Sequence, residues 1–261
     1  MLVLITLGCF AAGAVIGLLG GLLGGLLGIG GGLIAIPAMA LILGMPQQLA
    51  QGTALILILP TVLMAVRKYN QNARIDWRVA AAGATTAVCF TFLGAHLALG
   101  ADSVVLRRSF AGFLLVVGLF YTWQTYNMRA ARKLAGVGHE RQAPRLSPPI
   151  GAAIGCAAGL LGGFFGVGGA ILVVPLMTTY FKYTQTTAQA LALTMIIPGS
   201  TIALATYTWA GQADWSVGVP LALGSVLCVS QGVRLALRLP ERRLRACFAA
   251  MVFATVLLML V

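Results

Sequence analysis

The sequence predicts an all-α polytopic membrane protein made of two inverted-topology repeats. Each repeat has about five helical segments, the first of them broken by glycine. Three observations predict this: an apolar composition divided into helix-length runs, a chain that superposes on itself, and a glycine cluster that occurs once in each copy.

Of 261 residues, 60% are hydrophobic and only 8% charged, with a mean hydropathy of +0.98. Soluble domains carry about 25% charged residues, so a soluble globular fold is excluded. The apolar runs are close to 20 residues long, the length of a membrane-crossing helix. Barrel strands would alternate over about ten. The first residues lack the basic region and small-residue cleavage site of a secretory signal, so a retained helix is expected there. The five cysteines (Cys9, Cys89, Cys156, Cys228, Cys247) sit in apolar stretches without paired spacing. They are read as small core residues, not disulfides, metal ligands or nucleophiles. No metal, cofactor or catalytic residue is expected.

At an offset of 138 residues, 10 of 21 positions match between Gly17–Pro37 and Gly155–Pro175. The same offset aligns "AQGTALILILP" from Ala50 with "AQALALTMIIP" from Ala188, and "IDWRV" from Ile75 with "ADWSV" from Ala213. It also places Leu106, Arg107 and Phe110 on Leu244, Arg245 and Phe248. One register held across such distant blocks marks an internal duplication. Residues 1–127 form the first repeat and 150–261 the second, joined by a polar stretch over 128–149.

In order, the first repeat reads as a helix over Leu2–Leu27, a glycine break and a short helix over Leu33–Leu43. Helices over Gln47–Arg67, Trp77–Leu99 and Val104–Asn127 follow. The second reads as Ile150–Phe165, Ile171–Phe181, Gln185–Trp209, Trp215–Leu237 and Arg242–Leu260. The short helices cannot span a core that needs roughly 20 residues, and each is expected to turn back on the helix before it.

Charge then sets orientation. If the first two segments of a repeat cross twice or not at all, 15 of the 17 Lys and Arg fall on one side, leaving Arg107 and Arg108 on the other. If those segments form one kinked crossing, the division is 9 against 8. The positive-inside rule selects the first arrangement. It makes the repeats inverted, puts the 128–149 linker in the cytoplasm and leaves both termini external on a bacterial inner membrane. The net charge of +12 is therefore a topology signal, and no nucleic-acid partner follows from it. The partners expected are the lipid bilayer and a small anion; oligomeric state leaves no mark in the sequence.

Glycine weakens helices and proline breaks them, yet both recur at membrane depth. Irregular backbone is tolerated there only when protein buries it or it lines a cavity. Broken helices in inverted repeats are a feature of secondary transporters. Gly28, Gly30, Gly31 and Gly32 precede one short helix, and Gly166, Gly168 and Gly169 precede the other. Freed N–H groups at a helix N-terminus suit an anion, and two opposed termini would meet around one site. Pro37 and Pro175 are expected to kink the short helices. The earlier glycines (Gly17, Gly21, Gly25) have the spacing of close helix packing.

The doubled "GGxxGxGGxxxxxP" segment, the third-helix "AQGTAL" and "AQALAL", and the "DW" that follows resemble the sulfite exporter TauE/SafE family. The resemblance covers nearly the whole chain. It implies a membrane transporter, and more broadly an exporter of sulfite, organosulfonates or other small anions. Ala170 stands where the first repeat has Gly32, and Ala190–Leu191 where it has Gly52–Thr53, so the halves cannot supply equivalent ligands.

Gln51 and Gln189 hold equivalent positions early in the third helix of each repeat. An amide there is costly in lipid and well placed in a polar cavity. With the glycines they form the expected substrate site, joined by Thr53 and Thr194, with Ser200 and Thr201 as further hydroxyls. Hydroxyls also bond their own helix backbone, and glutamines also bond between helices. Asp76 and Asp214 are read as helix caps and Trp77 and Trp215 as interfacial anchors. His96 is read as an interfacial histidine, not a proton relay. All five acidic residues (Asp76, Asp102, Glu140, Asp214, Glu241) fall in loops or at helix ends. A channel for the same anions, a carrier of another organic anion, a scaffold, and an intramembrane hydrolase pairing Ser200 with His96 are the alternatives. The last lacks a G-x-S-x-G signature and leaves the duplication unexplained.

Overall fold

The computed structural model describes residues 2–71, 76–134 and 146–260, with side chains for 13–71, 76–123 and 146–259. The readings made for the side chains of Cys9 and Glu140 lie outside these. The described chain is helical: α1 (Leu2–Leu27), α2 (Gly32–Ile42), α3 (Gln47–Asn70), α4 (Trp77–Leu99) and α5 (Ser103–Leu134) come first. They are followed by α6 (Pro148–Phe165), α7 (Ala170–Thr179), α8 (Gln185–Trp209), α9 (Trp215–Arg238) and α10 (Glu241–Leu260). All ten predicted segments occur within a few residues, except that α5 continues through Leu134, into the stretch read as a linker. Six of these helices are long and apolar enough to cross a membrane. Large apolar side chains such as Phe92, Leu97, Val116, Leu227 and Leu257 point outward, as expected of a protein with lipid as its solvent.

The caps follow the sequence. Asp76 accepts from the Arg78 and Val79 N–H groups at 3.1 and 3.5 Å, and Asp214 from Ser216 and Val217 at 2.9 and 3.4 Å. Trp77 and Trp215 beside them are half exposed. The cysteines depart from expectation: Cys89 and Cys247 are exposed and Cys156 and Cys228 partly so, all four as free thiols. They sit in apolar sequence because the outer surface is apolar too, not because they are in the core.

Glycine rows fasten each unit to the other. Gly17, Gly21 and Gly25 on α1 face Leu221, Ser225 and Val229 on α9, while Gly155, Gly159 and Gly163 on α6 face Gly83, Ala87 and Thr91 on α4. A Cβ at any of these six would enter the neighbouring backbone, which is the close approach that small residues permit in membranes. Both pairs run parallel, and the first helix of each unit lies along the fourth helix of the other.

The two most enclosed of the long helices, α3 and α8, pack against one another. Tyr207 near the end of α8 donates to Gln51 near the start of α3 at 3.0 Å. At the opposite end, Gln189 early in α8 and Tyr69 late in α3 donate to the adjacent carbonyls of Leu26 and Gly25. The equivalent helices therefore run antiparallel. The same holds for α5 and α10, where Arg107 meets Met259 and Tyr121 stacks on Phe248.

Candidate functional site

Both glycine clusters interrupt the helix, and both breaks have left-handed backbone. Gly28, Gly30 and Gly31 have φ of 69, 75 and 84°, and Gly166, Gly168 and Gly169 have 66, 78 and 74°. Side chains other than glycine rarely adopt such angles. Gly31 and Gly169 are the N-caps of α2 and α7, and neither helix has a side-chain cap. Gly32 has ordinary helical backbone as the first residue of α2.

The first hydrogen bonds of α2 run from Ile34 and Ala35 to Gly31 O, and those of α7 from Leu172 and Val173 to Gly169 O. Among the described residues, no hydrogen bond engages the N–H groups of Gly30, Gly31, Gly32 or Leu33, nor of Gly168, Gly169, Ala170 or Ile171. These are the orphan donors of helix starts, left open at the positive ends of two helix dipoles. The breaks adjoin: a Cβ on Gly32 would lie 3.9 Å from the Gly166 carbonyl oxygen.

The glutamines are crossed between units. A Cβ on Gly28 would sit 2.5 Å from Cγ of Gln189, and one on Gly166 would sit 2.7 Å from Cβ of Gln51. Both glutamines are wholly buried. Oε1 of Gln51 accepts from Tyr207 at 3.0 Å and its Nε2 has no partner. Nε2 of Gln189 donates to Leu26 O at 3.4 Å and its Oε1 has none. Tyr207 also lies 3.2 Å from Gly163 O, so its one proton serves two acceptors. A buried amide half without a partner costs about 1–3 kcal/mol, and each of the two junctions carries one.

The remaining candidates divide. Ser200 Oγ is buried without a partner and, with Thr91 and Gly168, lines a small cavity of about 10 Å³, room for about one water. Thr53 is turned to another task, accepting from the Asp214 N–H at 3.0 Å. Thr194 and Thr201 bond their own helix at Ala190 O and Ile197 O. Pro37 and Pro175 lie inside α2 and α7. Pro37 cannot donate to Leu33 O, which instead accepts from Thr255 on α10 at 3.4 Å. His96 is exposed, its ring tilted against that of Phe92 with centroids 4.3 Å apart, and its Nδ1 lies 3.2 Å from Phe92 O. Ser200 and His96 form no nucleophile–base pair.

Two kinds of residue escaped the sequence reading. Tyr69 and Tyr207 fasten the breaks to α3 and α8, and only their equivalence at the 138-residue offset could have singled them out. Ile58 and Ile196, also equivalent, occupy the space at the breaks. Ile58 is in contact range of Gly30, Gly32 and Gly168, and Ile196 of Gly168. Apolar residues in an apolar helix carry no signal of their own. Among the described residues, no cluster of His, Cys, Asp or Glu could hold a metal.

Comparison with known proteins bears on what such a site serves. The family model described as "Sulfite exporter TauE/SafE" matches residues 13–259. A Bacillus subtilis protein named "Probable membrane transporter protein YunE" is 23% identical over 225 residues, covering 81% of this chain and 82% of that protein. A "Probable membrane transporter protein" of Haemophilus influenzae is 25% identical over 233 residues, covering 86% and 84%. One from Xylella fastidiosa is 24% identical over 214 residues, covering 81% and 78%.

Proposed function

The chain belongs to the sulfite exporter TauE/SafE family of membrane transporters, and from that premise we propose that it is a secondary exporter of small sulfur-containing anions, sulfite or organosulfonates. The anion is held where the two glycine breaks meet. The observation that carries this reading is the convergence of unengaged N–H groups from α2 and α7 beside two buried, half-bonded glutamines. Such a site offers donors and dipoles without a fixed cation, so it can bind an anion and still release it.

The breaks lie at the middle of α3, since Gly30 lies against Ile58 and Val62, and midplane sites at broken helices suit alternating access. The antiparallel α3–α8 and α5–α10 pairs support two units of opposite orientation, 1–127 and 150–261. The hydrogen bond from Gln185 N–H to Glu241 brings Lys182 and the Arg234–Arg245 cluster to one end of the array, as the 15-against-2 division of charge requires. That end faces the cytoplasm of a bacterial inner membrane, with both termini outside. Ile58 and Ile196 fill the centre of this closed form and must move for an anion to enter, which favours a carrier over an open channel.

No described carboxylate reaches the breaks: Asp76, Asp102 and Asp214 cap helices and Glu241 begins one. Export then needs no coupling ion. With the interior negative by about 100 mV, each negative charge leaving gains roughly 2.3 kcal/mol, about fifty-fold at equilibrium. Sulfite flux in proteoliposomes, with the potential set by potassium and valinomycin, tests the proposal. Saturable, voltage-driven flux with counterflow and no need of a proton or sodium gradient is expected. Flux that ignores voltage and follows an imposed proton gradient would contradict it.

A further inference from the structure

The two ends of the helix array are equivalent under the 138-residue offset and place their acidic side chains differently: Glu241 stands where the other end has Ser103, and Pro240 where it has Asp102. At one end Glu241 accepts from the Gln185 N–H at 3.2 Å and pairs with Arg245 at 3.7 Å, the arginine side chain being only 5% exposed. At the other end the same positions are Ser103, Gln47 and Arg107. Ser103 Oγ accepts from the Gln47 N–H at 3.0 Å and donates to Gln48 Oε1 at 2.6 Å. The hydrogen bond to the start of the third helix is thus kept, and at this position a hydroxyl replaces the carboxylate.

What surrounds Ser103 is suited to an anion. Arg107 donates through Nε to Met259 O at 3.1 Å, and no ion pair to it is found among the described residues. Asp102, the nearest carboxylate in sequence, is engaged as the cap of Val104 N–H at 2.8 Å. Gln47 is 3% exposed and neither atom of its side-chain amide has a partner. Together with Arg107, Arg108 and Ser103 it lines a cleft of about 510 Å³. The Gln47 amide nitrogen and the Arg107 guanidinium are donors available to an acceptor in the cleft.

We propose that this cleft binds a small oxyanion at the position that the Glu241 carboxylate fills in the other unit. The identity of the anion as a sulfur oxyanion rests on the transport reading above; the site itself rests on the Ser103–Glu241 difference. In the orientation proposed, the cleft opens on the external face, where an exported anion leaves. The phosphate of a lipid headgroup has the same chemistry and is the second source to be distinguished.

The test is calorimetric titration of the full chain in uncharged detergent with sulfite and with sulfate, comparing wild type with Ser103→Glu, Arg107→Gln and Glu241→Ser. Ser103→Glu supplies an internal carboxylate. It is expected to weaken anion binding at least tenfold while raising the melting temperature. Arg107→Gln is expected to weaken binding at the cleft similarly, and Glu241→Ser to add one further binding event per chain. Wild-type titration curves from both Ser103→Glu and Arg107→Gln would overturn the site. A parallel arm measures melting in nanodiscs of phosphatidylcholine with and without phosphatidylglycerol. Stabilisation by phosphatidylglycerol that Ser103→Glu removes, without sulfite or sulfate binding, supports the site with a headgroup as its occupant. Sulfite flux accompanied by binding insensitive to Ser103→Glu overturns the cleft and leaves the transport reading. Sensitive binding without sulfite flux does the reverse.

Discussion

The Gly28–Gln189 junction and the Gly166–Gln51 junction have nearly the same backbone and opposite polarity. At the first, the glutamine amide nitrogen is engaged by Leu26 and its oxygen faces the break unpartnered. At the second, the oxygen is engaged by Tyr207 and the nitrogen is the unpartnered atom. Tyr69, the counterpart of Tyr207, spends its proton on Gly25 O. Duplication therefore built one scaffold twice, and divergence left the second junction as the half whose side chain can donate to an anion. The substitutions of Gly32 by Ala170 and Thr53 by Leu191 extend the same asymmetry.

The comparison breaks most completely at the glycines. Gly28→Leu and Gly166→Leu each force a side chain at left-handed φ into a buried glutamine. Both are expected to abolish sulfite flux. Gly30→Leu and Gly168→Leu are expected to do so with the protein still inserted, as membrane fractionation and gel filtration would check. Flux surviving on one side alone would assign the anion to the other junction.

The glutamines sharpen it. Hydrogen bonds to charged groups contribute about 1.5–3 kcal/mol, so Gln51→Ala is expected to weaken sulfite affinity about tenfold or more by titration. Gln189→Ala, whose open atom is an acceptor, is expected to change it less than about threefold. Equal losses would mean that the two halves act alike.

Much of this was legible in the sequence and some was not. The ten segments, the caps at Asp76 and Asp214, and the breaks at the clustered glycines follow from local chemistry that residue type alone reports. The packing row Gly17–Gly21–Gly25 was legible as packing, but its partner α9 was not, because nothing in α1 names the helix that will lie along it. Cys89 and Cys247 misled because an apolar environment in this protein is either core or lipid-facing surface, and hydropathy does not separate them. Ile58 and Ile196 were hidden for the same reason. The glutamines were legible as polar intruders, while their crossing to the opposite unit depends on α3 and α8 running antiparallel.

The smallest effects belong to the hydroxyls. Thr53→Val removes a bond to the Asp214 N–H and is expected to cost about 1 kcal/mol of stability, read by thermal melting, with sulfite affinity unchanged. Thr194→Val, whose hydroxyl serves only its own helix, is expected to alter neither melting nor affinity.

The most direct measurement of whether the anion sits where the breaks meet is sulfite flux in voltage-clamped proteoliposomes for Gly168→Ala. The added methyl points into the small void, 3.2 Å from Ser200 Oγ and from Ile196 Cδ1, at a backbone strain of about 1–2 kcal/mol. The expected result is at least a tenfold loss of flux from protein that inserts and elutes as the wild type does. Wild-type flux from Gly168→Ala would contradict the site and leave the clustered glycines with no role beyond packing.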